Sequence, residues 1–157
     1  MPTVLLINGP NLNRLGHREP EVYGTTTLAE VVAMVRARAA ELGWSVAAFQ
    51  SNHEGELIDE IHRGADDGAD AIILNAGALT HYSYALFDAL KAVGLPAVEV
   101  HISDIAGREN WRQKSVTAPA CVATISGHGV NGYVEALELL HGRTAAAPQQ
   151  QKLRVLG

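Results

Sequence analysis

Apolar residues along this chain form short unbroken runs, separated by longer stretches in which they recur every three or four positions. Thr3 to Asn8 is continuous and apolar, as a strand buried on both faces requires. Thr27 to Leu42 sets Leu28, Val31, Val32, Val35, Ala39 and Leu42 on one helical stripe, which Gly43 closes. Trp44 to Gln50 reads as a second strand, and Ser51 or Asn52 is placed to cap a helix carrying Leu57, Ile58 and Ile61. Asp70 to Asn75 is a third strand, Tyr82 to Val93 a helix ended by Gly94, and Pro96 to Ile102 a fourth strand. Cys121 to Ser126 gives a fifth strand and Val130 to Leu140 a last helix.

Strand alternating with helix throughout predicts an α/β fold, a parallel sheet with helices on both faces. Five strands suit a flavodoxin-like three-layer sandwich with strand order 2-1-3-4-5. Residues 1–141 make one domain, and residues 142–157, which lack periodicity, read as a flexible C-terminal tail. In such sheets ligands bind beyond the carboxyl ends of the strands. Polar residues gather at four of those ends: Asn8 to Asn13, Ser51 to Glu54, Asn75 to His81, and Glu99 to Ser103. Four polar strand ends on one rim point to a site.

Composition narrows the class without deciding it. A net charge of −5 argues against a nucleic-acid surface, which needs a basic face. No apolar run approaches the roughly 20 residues that span a bilayer, and the first strand starts without a basic, cleavable leader. The single cysteine, Cys121, allows no intramolecular disulfide, so a reducing cytoplasm is the expected location. Cys121 is either a nucleophile or, as the free thiol's behaviour favours, a small hydrophobe packed in a buried strand.

The chemistry-bearing residues each admit two readings. Tyr23 lies beside Arg14 and Arg18, whose charge would favour a phenolate and make a usable base; alternatively Tyr23-Gly24 is a turn with an aromatic anchor. Glu99 and His101, two apart on a strand, share a face, so the carboxylate either orients a general acid or forms a structural ion pair. Arg108 and Arg112 share a helical face if their segment is helical, and serve an anion or simply meet solvent. Asn75 and His81 bracket a glycine-containing loop able to hydrogen-bond a polyol, and Asp88 follows seven residues on. Gly127 to Gly132 spells G-x-G-x-x-G, but no strand with an acidic residue follows it, so close helix–sheet packing is the better reading. The histidines show no metal-ligand spacing.

Taken together, NGPNLNRLGHREPEVYG at 8–24, LNAGALTH at 74–81, EVHIS at 99–103 and the Arg108/Arg112 pair closely resemble type II 3-dehydroquinate dehydratase of the shikimate pathway. The resemblance covers residues 3 to about 141, in order and in spacing. It implies anti elimination of water from 3-dehydroquinate to 3-dehydroshikimate through an enolate, without a cofactor or a lysine imine. Lys91 and Lys114, the lysines before the tail, fall in none of the site blocks. By motif match Tyr23 is the base, Arg18 favours its phenolate, Asn11 helps hold a water against the enolate, and His101 is the acid oriented by Glu99.

For binding, the resemblance assigns Asn75, His81 and Arg112 to the ring hydroxyls, and Ile102 and Ser103 to the substrate carboxylate. Asp88 matches a residue that reaches a neighbouring subunit, within a homododecamer built as a tetramer of trimers. The loop from Arg18 to Tyr23 resembles a mobile lid. Phe87, Gly107 and Trp111 depart from the commoner pattern. The rival from another class is a non-catalytic flavodoxin-like module for a small anion, which needs the arginines but not Tyr23 and His101 together.

Overall fold

In the computed structural model, described over residues 1–17 and 19–155 with Tyr23 and residues 146–155 given by backbone alone, five parallel strands form one sheet. They are β1 (Thr3–Asn8), β2 (Ser45–Gln50), β3 (Ala71–Asn75), β4 (Ala97–His101) and β5 (Ala123–Ser126), in the order β2-β1-β3-β4-β5. The expected flavodoxin-like order is the observed one. Helices α2 (Leu28–Leu42), α3 (Glu54–Asp66), α4 (Tyr84–Val93) and α5 (Asn131–Val155) cover the sheet, and a single turn, α1 (Pro20–Tyr23), sits in the first loop.

The alternation of side chains in each strand sorts the core into two halves. Val4 and Leu6 of β1, Ile73 of β3 and Val98 and Val100 of β4 pack with Val31 and Val35 of α2 and Tyr133 and Leu137 of α5. Their strand neighbours Leu5, Ile7, Ile72, Leu74 and Ala97 turn to the opposite face, against Leu57 and Ile61 of α3 and Leu86 and Leu90 of α4. That alternation places Glu99 and His101, a polar pair, on the face that holds α4. Register aligns the strand ends: Asn8 pairs with Gln50 on one side and Asn75 on the other, and His101 with Ser126. One rim therefore collects the polar residues.

Local differences from the sequence reading have physical causes. The cap of α3 is His53 rather than Ser51 or Asn52; the Ser51 hydroxyl accepts from the His53 amide at 2.9 Å and donates to Glu56 at 2.6 Å. Tyr82 stays outside α4 because Ser83 caps it, accepting from the Leu86 amide at 3.0 Å. Cys121 precedes β5 and is half-buried, so it packs beside the core rather than within a strand. Its thiol is pushed up to about 12 by burial, with the nearby Glu99 charge adding to the effect, which rules out a ready nucleophile. Helix α5 continues past Leu140 to Val155.

The Gly127–Gly132 pattern resolves as packing. A Cβ on Gly132, in the first turn of α5, would lie 3.3 Å from side-chain carbons of both Ile125 and Val100. The glycine lets α5 sit close on β4 and β5.

Candidate active site

A cleft of about 120 Å³ opens at the carboxyl end of the sheet, lined by the loops after β1, β3 and β4. Asn11, Asn75, His81, His101, Ile102, Ser103 and Arg112, all expected from the sequence, stand around it. Glu99 lies behind His101, and Asp88 is exposed on α4 and does not line the cleft. Arg18 and the Tyr23 side chain lie outside the described residues.

Backbone contact between two loops builds the floor. The Gly9 amide donates to the Asn75 carbonyl at 2.7 Å, and a Cβ on Gly9 would come within 2.5 Å of the Ala76 carbonyl oxygen. Only glycine allows that approach. The chain then turns through Asn11, held at φ 70°, a left-handed conformation that asparagine tolerates better than most residues. Its amide donates to Asn52 Oδ1 at 2.9 Å, which ties the loop after β1 to the one after β2.

Asn75 is positioned from beneath. Its Nδ2 donates to Tyr133 Oη at 2.8 Å, and that hydroxyl donates to Asn8 Oδ1 at 2.6 Å. Tyr133 is fully buried, and burial raises its pKa, so the phenol stays protonated and serves as a fixed strut. This network was not read from the sequence, since Tyr133 sits 58 residues from Asn75 and only the packing of α5 on β3 and β1 joins them.

His101 and Glu99 form the most constrained pair in the cleft. His101 Nε2 donates to Glu99 Oε2 at 2.8 Å, and the two side chains are 5% and 0% exposed. Three hydroxyls surround the carboxylate: Thr80 at 3.0 Å, Ser115 at 2.7 Å, and Thr117. Burial pushes the Glu99 carboxyl up, but the hydrogen bond and charge of His101 and the Thr117 and Ser115 hydroxyls outweigh it, so the net shift is downward from 4.5. A group whose folded pKa is depressed contributes stability above its unfolded pKa and loses it as pH falls through the folded value. Unfolding midpoints in urea are therefore expected to fall on acidification below about pH 4.5, and Glu99→Gln should flatten that fall. Equal slopes in both proteins would remove Glu99 from the acid response.

The segment forms two short 3-10 turns, Ile105–Gly107, with Arg108 just past its end, and Asn110–Arg112, rather than one helix, so the condition for a shared helical face is not met. The turns still deliver both arginines to the cleft. Arg112 pairs with Glu109, and its guanidinium stacks 3.9 Å from the centre of the Trp111 ring. Trp111 also meets His81 edge-on, 5.5 Å between centroids. His81 Nδ1 donates to the Lys114 carbonyl at 2.7 Å, which leaves Nε2 as the nitrogen available to a ligand. Arg108 donates to Ser103 Oγ at 3.4 Å and lies 4.0 Å from Glu19, which joins the loop before α1 to the far wall.

Sequence comparison agrees with this geometry. The profile of the family described as Dehydroquinase class II matches residues 2–141. A 3-dehydroquinate dehydratase of Caldicellulosiruptor bescii is 56% identical over 140 residues, covering 89% of this chain and 97% of the relative. One from Thermus thermophilus is 55% identical over 137 residues, covering 87% and 92%. Among solved structures, a type II dehydroquinase from Butyrivibrio crossotus superposes with a TM-score of 0.87 at 44% identity, covering 88% of this chain and 97% of that one. A 3-dehydroquinate dehydratase-like protein from Bifidobacterium longum is more distant, with a TM-score of 0.68 at 28% identity, covering 92% and 99%. A cleft at the rim of a 2-1-3-4-5 sheet, the motifs that line it and the match along residues 2–141 lead to one conclusion: this chain belongs to the class II dehydroquinase family.

Proposed function

We propose that this protein dehydrates 3-dehydroquinate to 3-dehydroshikimate by anti elimination through an enolate. The observation that carries the reading is the buried His101–Glu99 pair, set at the edge of a cleft whose other walls carry Asn11, Asn75, His81, Ser103 and Arg112. A small-anion binding module would use the arginines but has no need of a carboxylate-held imidazole. Tyr23 removes the proton next to the ketone, with Arg18 favouring its phenolate, and Asn11 helps hold a water against the developing enolate. His101 then protonates the departing hydroxyl. The ring nitrogen turned away from Glu99 is the one that delivers the proton.

Asn75, His81 and Arg112 bind the ring hydroxyls in this reading, and the Ile102 and Ser103 amides with the serine hydroxyl bind the carboxylate. The Glu19–Arg108 approach supports a lid role for the segment from Arg18 to Tyr23, which would exclude water on closing. Asp88, exposed on α4, is assigned to a neighbouring subunit's site within a dodecamer of four trimers; light scattering on the purified protein tests that assembly. Among the described residues no helix is long and apolar enough to cross a membrane, and a cytoplasmic location is part of the same proposal.

The activity test is direct. Purified protein mixed with 3-dehydroquinate should show growing ultraviolet absorbance from the conjugated enone product, and the rate should survive treatment with a chelator. A folded preparation that gives no product would refute the reading. Arg112→Ala is expected to raise KM about 10- to 100-fold with a smaller effect on kcat, since a hydrogen bond to a charged group is lost in both ground and transition states. An unchanged KM would remove Arg112 from substrate binding.

A further inference from the structure

Glu99 needs only one hydrogen bond to orient His101, yet three hydroxyls from two other segments also converge on it. Thr80 comes from the 3-10 turn Gly77–His81, while Ser115 and Thr117 follow Arg112. An ionised carboxylate offers about four lone-pair sites. Thr80 Oγ1 and Thr117 Oγ1 donate to Oε1, and Ser115 Oγ and His101 Nε2 donate to Oε2. Donors and sites match one for one.

We propose that Thr80, Ser115 and Thr117 are positioning residues that keep Glu99 an anion with every acceptor site filled, so that it orients His101 without taking its proton. The proposal rests on His101 acting as the general acid. A carboxyl that kept the proton would have to turn one of these donors round, because its own O–H would point at a group that also offers a hydrogen. Ser115 is the hardest to turn. Its oxygen already accepts from the Ala118 amide at 3.0 Å, which directs its own hydrogen toward Glu99. The hydroxyl oxygens stand 2.8 to 3.2 Å from one another, and with each single hydrogen directed at Glu99 these are packing contacts within the shell. The downward shift of the Glu99 carboxyl, despite complete burial, agrees with this count.

The cage also links two parts of the site. The Val116 amide donates to the Thr80 carbonyl at 2.7 Å, between the two residues that supply hydroxyls. The segment that brings Arg112 to the cleft is thus the one that completes the shell around Glu99. Other ionisable groups near this shell are Cys121, neutral because its thiol is pushed up to about 12, and His81, whose Nδ1 is held by Lys114. Arg108 and Arg112 line the same cleft as His101. None of these takes the place of a hydroxyl on Glu99.

Thr117→Val removes a hydroxyl while conserving shape, Thr117→Ser retains it, and Ser115→Ala serves as a second deletion. Carbon-13 NMR of labelled glutamate in the full chain, titrated without substrate, reads the protonation of Glu99 directly. Both deletions should move its step up by about one pH unit or more, the scale of one lost hydrogen bond to a charge. With substrate, the acid limb of the kcat profile should rise in parallel and kcat fall about tenfold, while KM stays within about twofold, and Thr117→Ser should restore both. Folded deletions with the wild-type step and the wild-type kcat would overturn the proposal. A shifted step in a protein that never dehydrates the substrate would retain the cage and sink the functional reading. An unshifted step in an active enzyme would sink the cage alone.

Discussion

Replacing His101 with alanine should lower kcat by about 10² to 10⁴, the range expected when a positioned general acid is lost. The reason is geometric as well as chemical. His101 is 5% exposed and bonded to a carboxylate that is fully buried, so no water has a comparable place from which to protonate a leaving hydroxyl. The substitution also leaves Glu99 a buried anion without its partner, and breaking a buried pair costs about 3 to 5 kcal/mol. The three hydroxyls that remain on Glu99 reduce that loss, so the variant is expected to fold with a lower melting temperature. Circular dichroism checks the fold, and steady-state kinetics on the folded fraction checks the role. Turnover within about tenfold of wild type would show that another group supplies the proton.

A loss of similar size, about 10³-fold or more in kcat, is expected for Tyr23→Phe, with substrate binding largely retained. The phenyl ring conserves most of the contact area while the proton acceptor disappears. A free tyrosine titrates near about pH 10, so it acts as a base at neutral pH only if a neighbouring cation favours the phenolate. Arg18, five residues before it, is the group assigned to that task. Two measurements separate the role from a packing effect: calorimetric affinity for the substrate, expected to stay within about tenfold, and exchange of the substrate proton with solvent deuterium, expected to stop. Exchange that continues in the variant would place the base elsewhere. The His101 variant should still exchange, because the proton is removed before the hydroxyl leaves in an enolate mechanism.

The parts of the site legible in the sequence are those where one short segment carries its own meaning. EVHIS puts Glu99 and His101 on the same face because strand side chains alternate, and the structure joins them at 2.8 Å. The loops 8–13 and 75–81 follow buried strands whose ends the sheet brings level, so Asn11, Asn75 and His81 meet in one cleft. Where the local pattern is weak, contacts made on folding decide the element. The spacing of the arginines allows a helix, yet the segment forms two short 3-10 turns, held partly by the Asp104 side chain that accepts from the Ala106 amide. The cap of α3 moved to His53 because Ser51 found a better use, bridging its own loop to Glu56.

The sequence by itself determined the order of strands and helices, the rim at which polar loops accumulate, and the motifs that mark the family, because hydrophobic period and short spacing are local properties of a chain. Only the tertiary structure decided what surrounds those motif residues. Thr80, Ser115 and Thr117 are ordinary hydroxyl residues until β4, a 3-10 turn and the segment after Arg112 bring them onto one carboxylate. Tyr133 is an ordinary core aromatic until α5 packs it under Asn8 and Asn75. Those partners are decided by which groups must be satisfied once water is excluded, and burial is a property of the folded chain rather than of any stretch of it.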